Sequence, residues 1–148
     1  MTGGSGTPGG PTAADFDAWN EEKKALHAAG GPPIFREGQV WWCAVGVGIG
    51  SEVYGKGPGG VIGPPFTRPV IVLRKLSREA CVIVPVTSRQ PARVSDWYHP
   101  MRWRGRDQWA MLHQTRMVSA ARFRSRMVEL PDSDFRALRA AFRAFMGL

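Results

Sequence analysis

Cysteine is scarce in this chain of 148 residues: Cys43 and Cys81 are the only two. No Cys/His spacing resembles a zinc site, and none predicts another metal centre. Both thiols sit among apolar residues, which reads as buried thiols in a reducing compartment, with a disulfide between them as the open alternative. Long apolar runs are missing too. Nothing approaches the roughly 18 residues of a helical membrane span, so no membrane association is expected and the predicted location is cytoplasmic. Residues 1–11 are Gly-rich but lack the apolar segment of a secretory signal, and 1–12 reads as a disordered leader. The glycine-rich stretch 46–65 contains no G-x-x-x-x-G-K-[ST] pattern, which rejects a nucleotide P-loop.

Lysine disappears after Lys75, so every later basic residue is arginine. Up to Gly60 there are 4 Lys+Arg against 6 Asp+Glu; from Val61 onward there are 16 against 6, and the net charge is +8. Arginine favours forked contacts with phosphate or carboxylate. A pI near 10.5 points to a polyanion or an acidic protein as partner, or else to a basic, solvated surface.

The centre of the chain is the stretch 68–88, RPVIVLRKLSREACVIVPVTS. Two β-branched runs, 70–73 and 81–86, flank a short charged link and predict a hairpin buried on at least one face. Antiparallel pairing brings Arg68, at the start of one strand, beside Thr87 and Ser88 at the end of the other. That juxtaposition is a candidate phosphate site. Arg68 pairing with Glu52 or Glu79, and Thr87-Ser88 as a plain turn, are the structural alternatives.

The other segments follow in order. Residues 13–30 form a helical unit with Phe16, Trp19 and Leu26 on one face, stopped by Gly30-Gly31. Residues 39–45 (QVWWCAV) predict a Trp-rich strand. The stretch 46–65, with eight Gly and three Pro, is a functional or mobile loop containing the polar cluster Ser51-Glu52. Short strands are predicted at 97–101, 108–113, 116–118 and 124–130. An amphipathic helix, 132–146, capped by Asp or Ser, closes the chain with Phe135, Leu138, Phe142 and Phe145 on one face. Short strands at intervals of about ten residues describe a small barrel or strongly bent sheet.

The pieces REGQVWW, GSE, RPVIVL, VPVTS and LHQTRMVSAARF, followed by the closing helix, together resemble the MazF/PemK toxins of type II toxin–antitoxin pairs. The resemblance covers 36–148, and FDAWNEEKKALHA looks like an extension found in a subgroup. It implies a mainly β, SH3-like barrel with an N-terminal helix and a C-terminal amphipathic helix, forming a homodimer. It also implies an endoribonuclease that cleaves single-stranded RNA without a metal or other cofactor and is inhibited by an acidic antitoxin. By the same resemblance Arg68, Thr87 and Ser88 correspond to the catalytic core, and Ser51, Glu52, Gln114 and Arg116 to RNA-contacting positions. Ser119 and Thr67 stand where many or some relatives carry an acid, and His113 where a serine is common.

Metal-free RNA cleavage needs activation of the ribose 2′-hydroxyl, stabilisation of phosphorane charge and a proton for the leaving 5′-oxygen. Arg68 and Arg116 suit the second task. Arginine is a poor base, so His113 is the candidate acid or base, with a structural histidine as the alternative. Gln114 has a cross-strand amide bond as its alternative. Trp97, Trp103 and Trp109 are candidate platforms for stacking a base. A catalytically silent RNA- or protein-binding relative, a gyrase-directed toxin on the same barrel, and a small adaptor compete with the nuclease.

Overall fold

The computed structural model describes residues 10–55, 66–93 and 95–148. The helix α1 (Ala13–Ala28) is followed by β1 (Gln39–Ala44), β2 (Thr67–Lys75), β3 (Ala80–Thr87), β4 (Tyr98–Trp103) and β5 (Arg106–Met111). A 3₁₀ turn (Leu112–Gln114), β6 (Arg116–Ser119), a second 3₁₀ turn (Ala120–Arg122), β7 (Phe123–Glu129) and α2 (Asp132–Met146) complete the chain. All strand pairs are antiparallel, in the order β4-β5-β3-β2-β1-β7, with β6 paired to β3.

The fold is mainly β with two helices. The sheet does not close by strand pairing, but it curls far enough for Arg104, in the β4–β5 turn, to donate to the Met127 carbonyl on β7. The two apolar runs explain the curl. Val70, Val72, Cys81 and Ile83 enter one core with Phe35, Trp41, Cys43 and Phe123. Ile71, Leu73, Val84 and Val86 enter a second core beneath α2, around Leu138. Successive strand residues face opposite sides, so the central hairpin is buried on both faces, and its sequence is therefore continuously apolar rather than alternating.

Cys43 and Cys81 are both free and buried. Desolvation pushes Cys43 up to about 12 and Cys81 to about 11, which leaves them as inert thiols. The buried amide of Gln39 is satisfied: its Oε1 accepts from the Arg36 N–H at 2.9 Å and the Trp41 Nε1–H at 3.1 Å.

Several expectations are corrected. The strand predicted at 108–113 stops at Met111, because the Thr115 hydroxyl donates to the Leu112 carbonyl at 2.8 Å and closes a tight turn that takes in His113 and Gln114. The segments around 97–101 and 108–113 form one hairpin, turned by Arg104 and Gly105 at φ 52° and 73°, the left-handed geometry of a two-residue turn. Neither Asp nor Ser caps α2: Pro131 holds the cap position, and Asp132 and Asp134 lie inside the first turn, where their charge suits the helix dipole. Trp103 is buried, which removes it as a stacking platform. Phe16 is 43% exposed, so Trp19 alone is buried from the α1 stripe. Of the glycine-rich loop, residues 56–65 lie outside the described residues.

Candidate active site

Arg68 enters β2 opposite Cys43 of β1. Its guanidinium is fixed by backbone oxygens: Nε and Nη2 donate to the Tyr54 carbonyl at 3.1 and 2.8 Å, and Nη1 to the Val86 carbonyl at 3.1 Å. Arg68 thus ties the loop before β2 to the end of β3. Gly55 makes this approach possible, since a Cβ there would lie 2.4 Å from the carbonyl carbon of Phe66 and the nitrogen of Thr67. Burial lowers the Arg68 pKa from its ordinary value. No carboxylate pairs with it among the described residues. Glu52 instead accepts from the Ile49 N–H at 2.8 Å. A half-buried guanidinium without a counter-charge, keeping two of its five N–H donors uncommitted, is a natural anion partner.

The same loop is clamped from the other side by Gln114. Its Nε2 donates to the Ser51 carbonyl at 3.2 Å and its Oε1 accepts from the Val53 N–H at 3.0 Å. Both ends of the amide are used, so Gln114 shapes the loop. Between loop and turn lies a cleft of about 330 Å³, lined by Glu52, His113, Gln114 and Arg116 with Val45, Val53, Pro85 and Thr115. Arg116 is exposed and paired in register with Ile83 at the edge of the sheet.

His113 packs against Trp97 at 4.9 Å between ring centroids and against Tyr98 at 5.1 Å. Among the described residues its buried Nδ1 has no partner, leaving Nε2 as the ring nitrogen able to exchange a proton with a cleft ligand. Trp97 is 52% exposed. Thr87 ends β3 beside Arg68 and Ser88 follows it, but neither lines the cleft; the Thr87 hydroxyl accepts from the Arg89 N–H at 3.1 Å, and Ser88 is exposed. Four of the sequence-derived residues therefore share one cleft: Glu52, His113, Gln114 and Arg116. Arg68 holds the adjoining backbone at Tyr54 without lining the cleft, Ser51 contributes its carbonyl to the clamp, and Thr87 and Ser88 lie outside. Among the described residues, no group of three or more His, Cys, Asp or Glu side chains is placed to hold a metal.

The sequence profile of the PemK-like, MazF-like toxins of type II toxin–antitoxin systems matches residues 36–146. The chain belongs to this family. Two solved structures share the fold of this PemK-like chain. One is an endoribonuclease from a mycobacterial species in complex with its cognate antitoxin, at a TM-score of 0.53 and 15% identity, covering 78% of this chain and 96% of that one. The other is MazF from Deinococcus radiodurans, at 0.52 and 17%, covering 78% and 99%. No curated protein sequence matches the chain. Among the described residues, no helix is long and apolar enough to cross a membrane. The helix α1 precedes the stretch the family profile matches.

The sequence did not reveal the Tyr54 and Val86 carbonyls that hold Arg68, because backbone acceptors carry no residue signature. It did reveal Trp97, as one of three tryptophans at this end of the chain; only the fold sets it against His113.

Proposed function

We propose that this family member is a toxin that cuts single-stranded RNA by a metal-independent route, leaving 2′,3′-cyclic phosphate and 5′-hydroxyl ends. The reading is carried by the meeting of Glu52, His113 and Arg116 in one cleft. The ribose 2′-hydroxyl gives its proton to the Glu52 carboxylate and its oxygen attacks the adjacent phosphorus. The bond from phosphorus to the 5′-oxygen breaks, and protonated His113 gives its Nε2 proton to the leaving oxygen, ending as a neutral imidazole. Arg116 stabilises the charge gathered on the phosphorane, with Arg68 adding positive potential from beyond the cleft lining. Ser51 and Gln114 hold the loop against which the RNA lies, and Trp97 offers a face to an unpaired base. Thr87 and Ser88 extend the polar rim beyond the cleft. The roles of these residues, a homodimeric state, cytoplasmic action and inhibition by an acidic antitoxin are parts of this same reading, and the net charge of +8 suits such a partner.

One observation favours a second reading, a catalytically silent RNA binder: Arg68 and Thr87 both spend hydrogen-bonding capacity on the protein's own backbone. Incubating the protein with long single-stranded RNA in EDTA separates the two. Discrete fragments with 5′-hydroxyl ends are expected, slowed about 10²- to 10⁴-fold by His113→Ala or Glu52→Gln. Intact RNA that still shifts in mobility with the folded protein establishes the binder instead.

A further inference from the structure

A hollow larger than the cleft lies elsewhere. A groove of about 670 Å³ separates the C-terminal half of α1 from the Ala120–Arg122 turn, and Lys23, Lys24, His27, Arg122, Ser119 and Glu79 line it. Counting His27, basic side chains outnumber acidic ones there by four to one. Lys24 shares its charge with Glu21 at 2.8 Å, an exposed pair that binds weakly. Lys23 has no polar partner among the described residues. Arg122 lies over the Trp19 ring at 5.5 Å and makes one long hydrogen bond, 3.4 Å, to the Ala44 carbonyl. Among the described residues Arg122 forms no ion pair: Glu79 lines the same groove without bridging to it, and Glu22 is bound to Arg124 at 2.7 Å. Burial and the neighbouring Arg116 charge both push the Arg122 pKa down. Lysines and a histidine near a helix C-terminus also offset the helix dipole. That explanation does not reach Arg122, which belongs to the sheet side of the groove.

The groove and the cleft share no lining residue, but one strand runs from one to the other. Strand β6 carries Arg116 at the cleft end and Ser119 at the groove end, about 10 Å apart along an extended strand. We propose that this groove is a second phosphate-binding tract, which takes the backbone of a single RNA strand beyond the cleft. The proposal rests on the RNA reading of the cleft and assigns α1 a function: it supplies one wall of the tract. The strand shared with the cleft, the Arg116 charge felt at Arg122 and the forked geometry of that guanidinium favour a nucleic acid backbone over an acidic peptide. Among the described residues no Phe, Tyr or Trp lines the groove, so contacts there read phosphate and not base.

The test is binding of 2′-O-methyl oligoribonucleotides, which lack the attacking hydroxyl, at two lengths. One of about four nucleotides fills the cleft alone; one of about twelve reaches the groove. Lys23→Glu, an exposed substitution, is expected to weaken the long oligomer about fivefold more than the short one. It should also make the salt dependence of the long oligomer shallower, by about 0.7 for each phosphate no longer neutralised. Arg122→Met should act in the same direction, and the charge-matched Arg143→Glu on the far helix should leave the long-to-short ratio unchanged. Equal weakening of both lengths by Lys23→Glu, or none, overturns the tract while leaving the cleft as the RNA site. Failure of both oligomers to bind the unaltered protein overturns the tract and the RNA reading together. Sensitivity to Lys23→Glu of polyglutamate binding, but not of RNA binding, overturns it in favour of an acidic protein partner.

Discussion

The two helices are attached to the same sheet in very different ways. α2 buries Leu138 completely and lays Phe135, Phe142 and Phe145 against a core that includes Val40, Ile71, Val84 and Val86. Its outward face carries Arg136, Arg139 and Arg143, and Gly147 at φ 75° ends it. α1 is well started, with a capping box between Thr12 and Asp15, yet it buries one side chain. Trp19 meets the Phe66 ring edge-on at 5.4 Å and lies so close to Gly46 that a Cβ there would be 1.7 Å from the indole. A partly buried ion pair, Glu22–Arg124, supplies the second attachment. One helix completes a core; the other is held by one buried ring, with Ala18 and Leu26 beside it, and one ion pair. An element fastened so lightly contributes little to folding, which fits its assignment as a wall of a binding groove.

The sharpest way to break this contrast is to cut each attachment. Leu138→Ala should destabilise the whole protein by about 2–5 kcal/mol, because the cavity opens between α2 and both central strands. Urea unfolding would show it as a lower midpoint with unchanged slope. A loss under about 1 kcal/mol would mean that α2 is as loosely held as α1.

Trp19→Ala should behave differently despite removing a larger side chain. α1 can leave without opening the sheet, so amide exchange in residues 13–28 should become fast while β1, β2 and β3 keep their protection. Gly46→Val should reproduce that pattern by displacing the indole. If strand protection falls together with helix protection, α1 belongs to the core and the contrast fails.

How far the sequence revealed this arrangement depends on the range of the interaction. The apolar runs of β2 and β3, the face of α2 and the extent of α1 follow local rules of period and punctuation, and each was readable. The meeting of Arg68 with the end of β3 was readable too, since antiparallel pairing dictates it. The boundary at Met111 was not, because the Thr115 hydroxyl that closes the next turn competes with strand continuation by a single bond. The cleft lay further from reach: it depends on Gln114 gripping the backbone of Ser51 and Val53, more than sixty positions away. Sequence named Glu52 apart from the local run His113, Gln114 and Arg116, and only the fold brings it to them.

The smallest effect sharpens the same contrast by pH. His99 lies beside α2, in a hollow shared with Arg102, Asp107 and Asp134. Burial pushes its pKa below the ordinary value, and the Asp134 charge opposes that in part. The folded protein therefore resists a proton that the unfolded chain accepts near pH 6.5. Stability contributed by neutral His99 is fully present above that value and declines as pH falls through it toward the lower folded pKa. Solvent screening of the partly exposed ring keeps the slope well below about 1.4 kcal/mol per pH unit. His99→Gln should flatten the decline in urea midpoint between about pH 7 and pH 5. The Trp19–Phe66 contact carries no proton, so exchange protection of α1 relative to the sheet should not follow that decline. A His99→Gln protein with the same pH profile as the unaltered one would remove His99 from the α2 side of the comparison.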